Sequence, residues 1–318
     1  MRAVRVERFG GPEVLALDED AAEPVPGPGQ ALLSIAHAGI NFADSLQAED
    51  AYLAPTTLPL IPGAEAVGTL PDGRRVVALL PGGGYAERAA APLATSFDVP
   101  DAVPDGAALA TVLQGTTAWH VLRTSGHLAP GETVVVTAAA GGVGVIAVQL
   151  ARLMGAGRVV ALASTPEKRA LATDLGADAA VDPREEDLTG AVREACRGRA
   201  DVVLEMTGGP TTAALLRTLA PFGRLVVYGA ASQAPTAPVD PSLLLGRSWT
   251  VAGFWLAHAV RDPARLLAPQ VAELLDHLAA GRLRAVVGAT YPLSEVRRAH
   301  EDLRGRRTVG KLLLDPRR

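Results

Sequence analysis

The segment TVVVTAAAGGVGVIAVQLA, Thr133–Ala151, decides how this chain folds. It runs for 19 residues without a charge, close to the length that crosses a bilayer as a helix. Its internal order argues against that reading. Val134, Val135 and Val136 have the β-branched character of a buried strand, glycines follow at 141, 142 and 144, and an apolar helix opens at Val145–Val148. A membrane span would not carry Gly-Gly-Val-Gly at its centre, and a plain tight turn accounts for one glycine rather than three. The spacing Ala139-x-Gly141-x-x-Gly144 is a dinucleotide-binding fingerprint with alanine in place of its first glycine. Such glycines let the backbone approach a pyrophosphate, while the helix N-terminus turns N–H groups toward its charge. Ala140, Gly141, Gly142, Val143 and Gly144 are the expected contacts.

Outward from this segment the pattern repeats. Asp105–Leu122 reads as helical. Strands are expected at Thr133–Ala138, Arg158–Ala163, Ala179–Val181, Asp201–Met206, Arg224–Tyr228 and Thr250–Leu256. They alternate with helices at Gly142–Met154, Pro166–Leu175, Glu185–Cys196 and Thr211–Leu219. Apolar strands alternating with helices build a parallel sheet covered on both faces, a doubly wound α/β fold. Before Pro104 the chain is different. Short apolar runs at Met1–Val6, Val14–Leu17, Ala31–Ile35, Ala64–Leu70, Val76–Leu80 and Tyr85–Ala91 are separated by Gly/Pro clusters, as in a barrel-like β domain. Asn41–Ala48 reads as a short helix. After residue 260 strict alternation stops: a helix at Pro263–Ala280, a strand at Val286–Tyr291, a helix at Ser294–Leu303 and a strand at Lys311–Leu314 suit completion of the N-terminal domain.

Composition bounds the function. The 318 residues fit about two domains. Hydrophobic residues at 48% and charged residues at 20% exclude a disordered chain, and a net charge of −4 argues against a nucleic-acid binder. One cysteine, Cys196, precludes an internal disulfide and, with six histidines, leaves little for a metal site. No apolar leader follows Met1, so a cytoplasmic setting without a membrane partner is expected. Lys168 and Lys311 are the only lysines among 30 basic residues.

The second expected strand ends in Leu162–Ala163–Ser164–Thr165, where an NAD site would place a ribose-binding acid. A hydroxyl at Ser164, followed by Lys168 and Arg169, suits the 2′-phosphate of NADPH, which a carboxylate would repel. A solvated helix face is the competing account of Lys168 and Arg169.

At this point the sequence resembles the zinc-independent quinone oxidoreductases of the medium-chain dehydrogenase/reductase superfamily. The likeness is carried over essentially the whole chain by Phe9–Leu15, Gly39–Asp44 (GINFAD), Pro62–Gly68 (PGAEAVG), the Ala138–Gly144 loop, Glu301, Gly310 and Lys311–Leu314. It implies a Rossmann domain, residues 116–259, inserted in a GroES-like β-rich catalytic domain, residues 1–115 and 260–318, with a substrate cleft between them. Zinc-dependent relatives carry cysteine where Asn41 stands and histidine where Ala64 stands. Their third ligand has no counterpart near Thr111–Gly115, and one cysteine cannot build their structural zinc lobe. Glu65 is then expected to be structural.

Without zinc, the chemistry implied is hydride transfer from NADPH to a conjugated acceptor, a quinone, enone or enoyl thioester, whose developing charge ordinary hydrogen-bond donors can stabilise. Tyr52 matches a tyrosine that lines the family's active site, with a surface-loop tyrosine as the alternative. Asn41 is a candidate donor to the carbonyl, with helix capping as its competing role, and Asp44 a candidate for orienting its neighbours. By the same resemblance Thr117 lies near the nicotinamide ribose, Gly229–Ala230 at a cofactor-binding strand end, backbone around Phe254 and Trp255 at the carboxamide, and Lys311 at the cofactor. Pro183 replaces an aromatic or histidine found in relatives near the adenosine phosphate. An apolar edge at Ser248–His258, together with the resemblance, suggests a homodimer. An enoyl-thioester reductase and a non-catalytic NADPH-binding protein are the rival readings.

Overall fold

The computed structural model describes Met1–Arg318. Its chain divides into a discontinuous unit, Met1–Leu113 with Ala257–Arg318, and a contiguous one, Gln114–Leu256.

The discontinuous unit starts with an antiparallel pair, β1 (Ala3–Arg5) and β2 (Ala16–Asp18). Its hub is β3 (Gln30–Ile40), which runs five residues beyond the expected Ile35 and leads into α1 (Phe42–Ala48). Then come β4 (Glu65–Thr69), β5 (Arg75–Leu79), β6 (Arg88–Pro92), β7 (Ser96–Asp98) and α2 (Asp105–Ala110). β6 takes the first half of β3 and β4 the later part, both antiparallel. The short β7 has no counterpart among the expected strands: three residues give too little alternation to signal one.

The contiguous unit holds α3 (Thr116–His120), β8 (Thr133–Val136), α4 (Gly142–Leu153), β9 (Arg158–Leu162), α5 (Pro166–Asp174), β10 (Ala179–Val181), α6 (Leu188–Cys196), β11 (Ala200–Glu205), α7 (Pro210–Leu216), β12 (Leu219–Val227), α8 (Pro241–Arg247) and β13 (Thr250–Gly253). The six strands are parallel in the order β10-β9-β8-β11-β12-β13. This is the doubly wound Rossmann order, whose direction reverses beside the first strand. The glycine loop leaves β8 at that reversal. The uncharged stretch is thus a buried strand, a loop and a helix, and no helix in the structure is long and apolar enough to cross a membrane.

The chain then forms α9 (Leu256–Ala259), α10 (Pro263–Leu266), α11 (Ala268–Ala279), β14 (Val287–Pro292), α12 (Val296–Arg304) and β15 (Lys311–Asp315). β15 lies antiparallel to β3, and β14 extends the sheet to β14-β15-β3-β4-β5-β7. The tail therefore completes the first unit's mixed sheet. Its core packs Leu33, Ile35 and Ile40 of β3 against Leu312 and Leu314 of β15.

Other expected boundaries change as well: the helix expected over Asp105–Leu122 divides into α2 and α3 with a wider turn at Thr111–Gly115 between them, α7 ends at Leu216, and β12 begins at Leu219 rather than Arg224. The helix expected over 263–280 breaks at Leu267, because Pro269 lacks an N–H and its ring crowds the preceding turn. β13 stops at Gly253 rather than 256, although Phe254 N–H still reaches the Val227 carbonyl at 2.9 Å. α6 begins at Leu188 rather than Glu185, where the Asp187 carboxylate accepts the Gly190 N–H at 2.9 Å. The unexpected α8 starts in the same way, with Asp240 accepting the Ser242 N–H at 2.8 Å and Pro241 in its first turn.

The β3–β4 ladder depends on Gly68, where a Cβ would sit 2.1 Å from the Ser34 carbonyl oxygen. Gly68→Ala is expected to lower unfolding free energy in urea by about 1–3 kcal/mol, as overpacking does. An unchanged urea midpoint would contradict this account of the ladder.

Candidate active site and cofactor cradle

In the contiguous unit, Val134, Val135 and Val136 fix β8 in the sheet centre with no exposure. The chain turns at Ala138, in the left-handed region at φ 46°, and Gly141 caps α4 in an extended conformation. The first helical bond runs from Val145 N–H to the Gly141 carbonyl, 3.0 Å. The N–H groups of Gly142, Val143 and Gly144 therefore have no intrahelical acceptor. A Cβ at Gly144 would lie 2.3 Å from the Ala138 carbonyl oxygen and 2.6 Å from Ala139 Cα. Glycine lets α4 close onto the loop, and the resulting concave row of N–H groups fits a pyrophosphate.

Beyond β9, the Thr165 hydroxyl caps α5 by accepting the Lys168 N–H at 3.3 Å. Arg169 turns back to the Ala163 carbonyl and to Asp182, both at 3.0 Å. Arg184 grips Asp182 and donates to the Ser164 carbonyl at 2.5 Å. The Arg184 guanidinium, helped by Arg169, holds the Asp182 carboxyl far below the usual carboxylate range. Two guanidiniums thus surround one carboxylate at this strand end, with Lys168 and Glu167 nearby in sequence. Arg184 is not among the residues expected from the sequence, although it directly follows the departure noted at Pro183.

The other expected cofactor residues of this unit lie at neighbouring places. Thr117 is buried on α3. Gly229 and Ala230 follow β12, with Ala230 Cα 3.3 Å from where a Gly208 Cβ would be. Phe254, just beyond β13 and followed by Trp255, stacks on His120 with centroids 5.2 Å apart and planes at 19°. His120 is a further residue absent from the expected set, and nothing local in its sequence announces the contact.

In the discontinuous unit, Asn41 directly follows β3 and caps α1. Its backbone N–H donates to Asp44 Oδ2 at 2.8 Å, so Asp44 orients the start of the helix. The Asn41 side chain completes the capping box with the Asp44 backbone, and it also bridges two charged groups: Nδ2 donates to Glu65 Oε1 at 2.7 Å, and Oδ1 accepts from Lys311 Nζ at 3.2 Å. Lys311 and Glu65 form a direct ion pair with no side-chain exposure. Lys311, expected at the cofactor, is here engaged with Glu65, Asn41 and the Ile40 carbonyl. Gly39 leaves the space, since a Cβ there would come within 2.5 Å of Glu65 Oε1. On the far side of Asp44, the Tyr85 hydroxyl donates to Oδ2 at 2.8 Å and lies 3.1 Å from His300 Nε2, while His300 Nδ1 meets the Ser45 hydroxyl at 2.8 Å. Tyr52 is half-buried in the irregular segment after α1.

Burial raises the Asp44 carboxyl to about 6 and drives His300 down to about 4. Burial also pushes the Tyr85 hydroxyl well above its ordinary value, keeping it a donor.

The family model described as zinc-binding dehydrogenase matches residues 142–276. Among curated proteins, the quinone oxidoreductase of Pongo abelii is 30% identical over 99% of this chain and 97% of its own length. The human synaptic vesicle membrane protein VAT-1 homolog is also 30% identical, over 99% of this chain and 86% of its own. The solved quinone oxidoreductase of Thermus thermophilus, described alone and in complex with NADPH, is 39% identical, with a TM-score of 0.88 over 99% of this chain and 100% of that one. The zinc of the family model's description does not fit the residues present. An amide stands at Asn41 and a methyl at Ala64, the Lys311 ammonium already holds Glu65, and no cluster of three or more His, Cys, Asp or Glu is placed to bind a metal.

The buried cluster can be tested through stability. Lys311→Met strands the Glu65 carboxylate and is expected to cost about 3–5 kcal/mol, most of which Glu65→Gln in the same chain recovers. A double variant no more stable than the single would overturn the pairing. The cluster also predicts a dependence on pH. Asp44 rises from 3.8 to about 6 on folding, so its contribution is full below 3.8 and is lost as pH climbs through 6. His300 falls from 6.5 to about 4, so its contribution is full above 6.5 and is lost as pH drops through 4. The two slopes oppose each other across the same window. Acidification from pH 6.5 to 4 should therefore destabilise Asp44→Asn more steeply than the parent, and His300→Gln should gain stability relative to it. Parallel urea-midpoint profiles for all three proteins would refute the assignment.

Proposed function

Because the chain belongs to the quinone oxidoreductase family of the medium-chain dehydrogenase/reductase superfamily, we propose that it is an NADPH-dependent oxidoreductase that reduces a quinone or another α,β-unsaturated carbonyl compound. The observation that carries this reading is the cradle at β8–α4, paired with the Ser164 end of β9, where residues 162–165 carry no acid and Arg169 and Arg184 hold Asp182. NADPH, when bound, supplies a hydride from its nicotinamide C4.

The N–H groups of Gly142, Val143 and Gly144, with Ala140 and Gly141 shaping the turn, hold the pyrophosphate. Ser164, Lys168 and Arg184 hold the 2′-phosphate, the planar guanidinium of Arg184 taking the place of the aromatic found in relatives. Thr117, Gly229, Ala230, Phe254 and Trp255 orient the nicotinamide half. Asn41 and Tyr52 donate hydrogen bonds to the acceptor's carbonyl oxygen as negative charge gathers there. Asp44 does not face that charge in this scheme; it fixes Asn41 through the backbone. Lys311 and Glu65 clamp the Asn41 carboxamide from either end, so it needs no reorganisation during the reaction. Lys311 is accordingly a positioning residue for Asn41 rather than a direct cofactor contact. The buried, unpaired Cys196 suits a cytoplasmic enzyme. β13 is the last strand of its sheet, and a second copy pairing along its open edge makes the homodimer we assign. Sedimentation at the mass of a single chain would count against the dimer.

NADPH oxidation with a panel of quinones, enones and enoyl thioesters tests the activity. Turnover of quinones or free enones is expected; preference for thioesters would move the assignment to an enoyl-thioester reductase. Tight NADPH binding without turnover of any acceptor would leave a binding protein and end the enzyme reading. Lys168→Ala and Arg184→Ala should each raise the Kd for NADPH about tenfold while leaving that for NADH little changed. Equal loss for both cofactors would refute the 2′-phosphate contacts.

A further inference from the structure

We propose that the contiguous unit carries an additional anion site, built for a diphosphate-type group, on the sheet edge opposite the glycine loop. A cavity of about 250 Å³ is lined there by Arg193, Arg199, Arg217, Leu243, Arg247 and Trp249. Arg199 precedes β11, Arg217 precedes β12 and Trp249 precedes β13, so the cavity lies at the strands' N-terminal ends. The glycine loop lies at the C-terminal end of β8, and β11 alone spans about 20 Å between the two edges at ~3.3 Å per residue.

None of the four arginines is paired with a carboxylate, and the lining contains no acid. Arg193 donates to the Arg217 carbonyl at 2.6 Å, and Arg199 to the Leu219 carbonyl at 3.1 Å. Arg247 lies over the Trp249 ring, 6.0 Å from its centroid. The Nε of Arg193 is buried with no acceptor. Satisfying helix C-termini is the competing explanation, since α6, α7 and α8 end close to these arginines in sequence. Three such termini carry about −0.5 charge each, however, and leave about +2.5 of the four positive charges uncompensated. In a chain whose net charge is −4, that concentration calls for a bound anion.

Planar guanidiniums take phosphoryl oxygens in pairs. The cavity exceeds by several-fold the ~30 Å³ that one water occupies in the liquid, which gives room for two linked phosphoryl groups. The charge to be neutralised also matches a diphosphate better than a singly charged anion.

The test titrates inorganic pyrophosphate into protein saturated with NADPH, so that the glycine loop is occupied. One further site per chain is expected, weakening as ionic strength rises. Arg217→Ala and Arg247→Ala should each weaken it about tenfold. Both side chains are exposed, so the folded state is retained, and NADPH affinity should be unchanged. Lys168→Ala, at the opposite edge, should leave pyrophosphate binding intact, which separates this assignment from the cofactor reading. No pyrophosphate binding to the saturated protein, or binding indifferent to both arginine substitutions, overturns the site. Sulfate binding as tightly as pyrophosphate overturns the diphosphate class.

Discussion

The buried Lys311–Glu65 ion pair is the constraint around which the discontinuous unit is arranged. Taking two charges fully out of water is costly, and their attraction repays this only when further hydrogen bonds complete the arrangement. Asn41 completes it by donating to the carboxylate with one end of its amide and accepting from the ammonium with the other. The pair joins β15, the last strand, to β4, and through Asn41 to the junction of β3 and α1. An apolar pair of similar volume would hold these strands as well. What the charged pair adds is orientation, because only one rotation of the Asn41 amide satisfies both partners.

The cluster has two halves with different electrostatics. Around Glu65 an ammonium compensates the carboxylate directly. Around Asp44 the partners are neutral or backbone groups, and burial dominates, which raises that carboxyl to about 6. Tyr85 stands between Asp44 and His300, linking a group that gains a proton on burial to one that loses it. The ion pair lies on one side of Asn41 and the Asp44–Tyr85–His300 chain on the other.

The legibility of these features follows their range along the chain. The cradle is readable because strand, glycines and helix occur within one contiguous segment, and each has its own sequence signature. The parallel sheet follows from β-α alternation. The Glu65–Lys311 pair is not readable from spacing, since its members lie 246 positions apart, and Tyr85 and His300 are separated by 215. A buried glutamate can be suspected as structural, but not matched with its lysine. Arg184 is hidden differently: it follows the strand after the one that signals cofactor charges, and parallel pairing of β9 with β10 brings it to Ser164. The break before Pro269 is visible in the sequence, yet amphipathic periodicity on both sides masks it.

The division of the chain also sets an order of events during synthesis. Residues 114–256 are consecutive, so the whole parallel sheet is synthesised before β14, α12 and β15. Until then β3 has no partner along Ala38–Ile40 on its β15 side, and Glu65 has no ammonium to meet. The nascent mixed sheet must keep a carboxylate hydrated and a strand edge open while the inserted unit matures. An open strand edge invites wrong pairing and an inward-pointing charge beside it opposes that, so the carboxylate that fixes the finished site is also the group that guards the edge before β15 arrives.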